Sequence, residues 1–120
     1  MADRLLFISW SNPVRGLEER AVEVFNDALG ILGRRQQQGK IEGFDVALME
    51  PNGELGGYIA ARGSAEQITA LRTDEEFMRN TIDAQLCVED IRHIEGVTNE
   101  AISEQMGMYT EAVGRIPSRA

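Results

Sequence analysis

Apolar positions change their spacing several times along the chain, and each change marks a structural element. Leu5 to Trp10 is apolar on both alternating sides, with Leu5 and Phe7 on one and Leu6, Ile8 and Trp10 on the other. A strand covered on both faces reads this way. Asn12 is placed to cap a helix with Pro13 in its first turn, after which Leu17, Ala21, Val24, Phe25, Ala28, Ile31 and Leu32 recur at helical spacing. That helix is expected to run to about Gln37, with Gly39 ending it.

Phe44–Glu50, then Pro51–Gly57, then Tyr58–Arg62 read as strand, turn and strand. A two-residue Asn52-Gly53 turn would pair Glu54 with Pro51. Counting back, Val46 faces Ile59, Phe44 faces Ala61, and Ala47 faces Tyr58. One side of the hairpin then carries Phe44, Val46, Leu48, Ile59 and Ala61 and is expected to be core. The other carries Asp45, Ala47, Met49, Tyr58, Ala60 and Arg62.

Ser64 with Gln67, and Thr73 with Glu76, both have the form of a capping box, so a short helix should break near Arg72 and restart. Phe77, Met78, Ile82 and Leu86 give the second segment an apolar side. Ile91–Val97 alternates as a last strand. Asn99 is placed to cap a final helix carrying Ile102, Met106, Tyr109 and Val113, ended by Pro117, with a frayed tail over 115–120.

The order β-α-β-β-α-β with right-handed crossovers predicts an α+β, ferredoxin-like fold in one domain spanning 1–120, with an added C-terminal helix. Such a sheet carries its main helices on one face. The other face would hold half of the first strand with Ala47, Met49, Tyr58 and Ala60, too apolar to be left in water. Two sheets packed face to face in a homodimer would cover it. The alternative is a monomer whose last helix folds back over that face.

Charge and cysteine content narrow the partners. A net charge of −8 and a pI near 4.6 argue against nucleic acid and anionic membrane, both of which need clustered Lys and Arg. Cys87 is alone, so no disulfide forms within the chain, which suits a reducing, cytoplasmic setting. No signal-peptide pattern and no apolar run of about 18 residues appears, as expected of a soluble protein.

One short stretch adds a resemblance. Ser11-Asn-Pro-Val-Arg-Gly16 with Glu18 and Glu19, directly after the apolar first strand and before the long helix, resembles the opening of dimeric α+β barrel proteins of the EthD-like kind. The resemblance implies a homodimer whose two sheets enclose a barrel, with a pocket in or beside each sheet. Members include cofactor-independent oxygenases, isomerases, haem-handling proteins and many proteins without known activity. Relatives often carry a His late in the first helix, where this chain reads Ala28-Leu-Gly-Ile-Leu-Gly-Arg34. No catalytic role transfers through that position.

His93 is the only histidine. If Ile94 packs toward the helices, His93 points to the open face with Asp45, Tyr58 and Arg62, a candidate pocket. There an imidazole could move a proton, a phenol donate to an oxyanion, and a guanidinium hold a carboxylate. The simpler reading is that Asp45 and Arg62 only pair across adjacent strands. No metal is expected, because no second His, clustered Cys or carboxylate spacing accompanies His93, and no cofactor is expected. Gly53, Gly56 and Gly57 read as turn glycines, Asp74 to Glu76 as a solvated helix start, Cys87 as packing, and Met106 with Tyr109 as core or dimer contacts.

Three function classes follow from this reading. The first is a small-molecule-binding or structural module. The second is a cofactor-independent oxygenase or isomerase acting on a small aromatic or carboxylated metabolite. The third is a protein-interaction partner that uses the last helix. Fold alone does not choose among them.

Overall fold

The computed structural model describes residues 2–117. Its elements are β1 (Arg4–Trp10), α1 (Glu18–Gln37), β2 (Gly43–Leu48), β3 (Gly57–Gly63), α2 (Ala65–Arg72), α3 (Glu75–Gln85), β4 (Arg92–Val97) and α4 (Glu100–Gly114). The strands form one antiparallel sheet in the order β2-β3-β1-β4, the ferredoxin-like arrangement expected from the element order. Leu6 and Ile8 of β1 and Ile59 and Ala61 of β3 meet Ala28, Ile31 and Leu32 of α1, Ile68 and Leu71 of α2, and Phe77 of α3. Three helices thus cover one face. Leu6, Leu32 and Ile68 are fully buried, and burying a side chain of this size contributes about 1.5–3 kcal/mol.

The hairpin has the expected register, with Val46 opposite Ile59, Phe44 opposite Ala61 and Ala47 opposite Tyr58. Its turn is not the expected two-residue one. After the Met49 N–H donates to the Gly56 carbonyl at 2.9 Å, the strands part and the Asn52 side chain organises the loop. Its carbonyl oxygen accepts from the N–H groups of Glu54 (2.9 Å) and Leu55 (2.8 Å), and its amide donates to the carbonyls of Glu50 (2.9 Å) and Leu55 (2.7 Å). An Asx-type turn has replaced the ladder with no change in residue count, so the register holds. Gly56 also donates to the Trp10 carbonyl at 2.7 Å. A Cβ there would run into the Ser11 carbonyl oxygen and stand 2.9 Å from its carbon.

Asn12 and Pro13 do not start α1. The chain stays extended past Trp10 and pairs with the segment before β4. Ser11 donates to Glu89 at 3.0 Å, Glu89 to Asn12 at 2.8 Å and Val14 to Cys87 at 2.8 Å, while Pro13 bridges Val88. These bonds satisfy the backbone groups that a helix start would have left open. Gly16, at φ +92°, makes the turn, and its N–H donates to the Glu18 carboxylate at 2.7 Å. The expected end at Gln37 is observed.

The break after Arg72 is also observed. Ser64 and Gln67 form both halves of a capping box. The second expected box is displaced by one residue, because Asp74 and not Thr73 caps α3, accepting from the Phe77 N–H at 3.0 Å. Arg35 holds the same carboxylate at 2.9 and 3.2 Å, which fixes it in place, and Glu76 is drawn to Arg34 and Arg35 instead of reaching back.

Two expectations about burial change. Val46 is 39% and Leu48 69% exposed, although they share the helix-facing side with Ile59, because β2 is an edge strand that α1 barely overhangs. Helix α4 does not fold back over the open face. It packs against β4 at its root, where Ala101 is buried, and then projects, giving a radius of gyration of 17.3 Å. Asn99 occupies its cap position at φ +50° without a side-chain cap; its amide donates instead to the Ala2 carbonyl at 2.6 Å. Of the expected frayed tail, 118–120 lie outside the described residues.

Candidate functional site

A second, smaller cluster of buried side chains unites Ala21 and Val24 of α1 with Ala84 and Cys87, backed by Val88 and Ile91. Between it and the main core lies a cavity of about 290 Å³. Ile8, Trp10, Ile59 and His93 rise into it from the sheet, while α1 and α3 wall it with Ala21, Phe25, Ala28, Phe77 and Ala84. Alanine at three of these wall positions leaves the space that larger side chains would fill. Trp10 meets Phe25 edge-on, with ring centres 5.6 Å apart. Val22 and Leu48, 60% and 69% exposed, stand at the mouth.

Three polar side chains line the cavity, and two are engaged elsewhere. The Asn80 amide donates to the Val24 carbonyl at 3.1 Å and ties α3 to α1. The Thr81 hydroxyl donates to the Phe77 carbonyl at 3.0 Å. His93 has no hydrogen-bond partner among the described residues, and its ring lies 5.7 Å from that of Phe77. Burial holds its imidazole below the ordinary value of 6.5, and the nearby Arg72 guanidinium lowers it further. The ring is therefore neutral at pH 7, able to give one hydrogen bond and accept another, or to take up a proton.

This placement corrects the expected grouping of His93 with Asp45, Tyr58 and Arg62. In the register His93 lies opposite Ile8, which lies opposite Ile59, so His93 belongs to the row facing the helices. Ile94 pairs with Phe7, points to the open face and is 51% exposed. Ile91 shares the parity of His93 and packs into the second cluster, so the row that contains both turns toward the helices. The other three residues do share the open face. Arg62 and Asp45 form an ion pair, and Tyr58 stacks on Phe7 with ring centres 5.1 Å apart. Trp10, Val22 and Phe25 had no chemical signature to mark them as lining, since apolar residues at core spacing announce only a core.

Cys87 is buried, its thiol donates to the Asp83 carbonyl at 3.3 Å, and burial pushes its pKa up, so it packs as a small apolar group. Among the described residues no three His, Cys, Asp or Glu side chains are grouped to hold a metal ion, and no helix is long and apolar enough to cross a membrane.

No family model matches the chain, and no curated protein matches its sequence at a significant level. Solved structures do match its fold. A dimeric ferredoxin-like protein of unknown function from Jannaschia sp. CCS1 superposes with a TM-score of 0.61 at 11% identity, over 78% of this chain and 97% of that one. The hydroxynitrile lyase of Passiflora edulis gives 0.61 at 10% identity, over 83% and 97%. SnoaB, a cofactor-independent oxygenase from Streptomyces nogalater, gives 0.50 at 13% identity, over 82% and 93%. The fold is thus shared with dimeric proteins of unknown function and with enzymes alike.

Proposed function

We propose that this chain is a small-molecule-binding module that works as a homodimer, with its ligand in the cavity between sheet and helices. The observation that carries this reading is the cavity itself. It is close to the lower limit of roughly 300 Å³ for ligand pockets, apolar almost throughout, and His93 is the one titratable side chain that lines it. No charged side chain lines it, so a carboxylate would enter without a counter-charge, at a steep desolvation cost. The ligand class this favours is neutral, apolar or aromatic, with one hydrogen-bonding group. The open face of Phe7, Tyr58, Ala60 and Ile94, with the Asp45–Arg62 pair at its side, is then the surface between two copies. The dimeric ferredoxin-like neighbours support that assembly.

Mass spectrometry of the protein under native conditions should reveal a small neutral molecule carried through purification. N-phenyl-1-naphthylamine, a neutral dye that fluoresces in apolar surroundings, should bind the emptied protein, and Val22→Trp at the exposed mouth should weaken that binding at least tenfold. Dye affinity unchanged by Val22→Trp would remove the cavity from the proposal.

A cofactor-independent oxygenase or isomerase is the second reading. It is favoured by the neutral His93 imidazole facing the cavity, where it can accept a proton. Conversion of the co-purified molecule by the native protein but not by His93→Ala would establish it. Retention without conversion leaves the binding module.

A further inference from the structure

Two of the solvent-facing apolar surfaces of this chain lie at opposite edges of the sheet. On β2, Val46 and Leu48 project on the helix side with little over them, and Val22 of α1 stands beside Leu48 at the cavity mouth. On α4, Ile102, Met106, Tyr109 and Val113 recur at i, i+4, i+7 and i+11, which places them on one side of the helix, and they are 48–64% exposed. An isolated helix of 15 residues is marginal in water, so α4 needs a surface to pack on. Its root is fixed, because Thr98 donates to the Asp3 carbonyl at 2.9 Å and Ala101 is buried. The arm is therefore directed outward. The radius of gyration of 17.3 Å compares with about 14 Å for a compact chain of this length.

The chain does not join the two surfaces by itself. β2 and β4 are the outer strands, three strand spacings or about 14 Å apart, and α4 leaves from the β4 edge. We propose that α4 crosses to a second copy of this chain and lays its stripe over Val46, Leu48 and Val22 there, so that each copy's arm closes the other's cavity. This rests on the homodimer and the cavity of the preceding section. Areas point to a second copy as the occupant. Four strands of six or seven residues present a face with a flat footprint of about 400 Å². An arm about 22 Å long and 10 Å wide covers about 200 Å², and the seat that receives its counterpart covers as much again. Arm and seat together thus double the footprint that two copies can share, which no contact within one chain achieves.

Disulfide trapping tests the arrangement. Leu48→Cys is combined in turn with Met106→Cys and with Tyr109→Cys, while Cys87 stays sealed in the core. On mild oxidation at least one pair should yield a covalent dimer bridged between residue 48 of one chain and the α4 cysteine of the other, identified by peptide mapping. A bridge within one chain, or none from either pair, would overturn the proposal. In sedimentation equilibrium, Met106→Glu with Tyr109→Glu should raise the dimer dissociation constant at least about 100-fold, as for centrally buried apolar contacts, and an unchanged constant would overturn it too. A wild-type monomer would sink both this proposal and the homodimer. A dimer without the 48–α4 bridge sinks only this one, and a bridged dimer that binds no dye sustains the arm while removing the ligand reading.

Discussion

The start of α3 allows a quantitative prediction, because Asp74 there does two separable things. Its carboxylate caps the helix through the Phe77 N–H at 3.0 Å, and it binds Arg35 through two contacts at 2.9 and 3.2 Å. Both side chains of this ion pair are largely buried, with 13% of Arg35 and 19% of Asp74 exposed, so solvent screens it less than a surface pair. Asp74→Ala removes a cap worth about 1 kcal/mol. It also removes charge-assisted bonds whose net loss is about 1–2 kcal/mol, since Arg35 retains Glu76 at 2.8 Å. The expected loss is about 2–3 kcal/mol, or roughly 10 °C in Tm for a domain of this size. Asp74→Asn keeps the cap and gives up the charge, so it should lose only about 1 kcal/mol.

Urea unfolding followed by fluorescence of Trp10, the only tryptophan, reads these differences. The Arg35 guanidinium first, and then the Phe77 N–H, hold the Asp74 carboxyl below its ordinary 3.8. The folded state therefore binds its proton less readily than the unfolded chain. The stabilisation is complete above pH 3.8 and is lost as pH falls through the folded value. The gap between wild type and Asp74→Asn should close over that acid range. Equal losses for Asn and Ala, or a gap that does not narrow as pH falls below 3.8, would refute the two-role account.

Three other outcomes follow from particular contacts. His93 titrates below 6.5 in the folded protein, so protonation favours the unfolded chain: stability should fall as pH drops from about 6.5 through the folded value and then level off. In His93→Gln that component should vanish from urea midpoints measured between pH 8 and 5, and identical pH slopes would contradict it. Gly56→Ala places a methyl group against the Ser11 carbonyl and should break the bond from Gly56 to Trp10, lowering stability by about 2–4 kcal/mol in calorimetry; a loss under 0.5 kcal/mol would show that the approach is not close. Asn52→Ala deletes four hydrogen bonds in an exposed loop and should lose only about 1 kcal/mol while speeding amide exchange at Glu54 and Leu55, where unchanged exchange would count against the Asx turn.

The functional consequence of the fold lies in how it divides the polar candidates. Asp45 and Arg62 satisfy each other on the open face, next to the Phe7–Tyr58 stack, which suits a surface between two copies. His93 alone enters the cavity. The ligand proposed for a cavity with a neutral imidazole among apolar walls would be selected by shape and hydrogen bonding, not by charge.

Sequence alone determined the element order, the hairpin register and the break before α3. These depend on neighbours in the chain: period-2 and period-3.6 spacing, the Ser64–Gln67 capping box, and a residue count between strands that holds whichever turn closes them. It also placed Asp45 and Arg62 within reach of each other, because cross-strand neighbours follow from register. The start of α1 was not legible, since the partners that keep residues 11–14 extended, Cys87 to Glu89, lie more than 70 residues away. The facing of β4 was a choice between two parities, and β1, apolar on both sides, did not decide it; docking of Leu6 and Ile8 under the helices did. Exposure of Leu48 and projection of α4 likewise depend on how far a helix overhangs a sheet edge, a distance set by packing in three dimensions. The cavity belongs to the same class: alanines at 21, 28 and 84 are unremarkable in a helix pattern, and they become a site only when α1 and α3 hold them over His93.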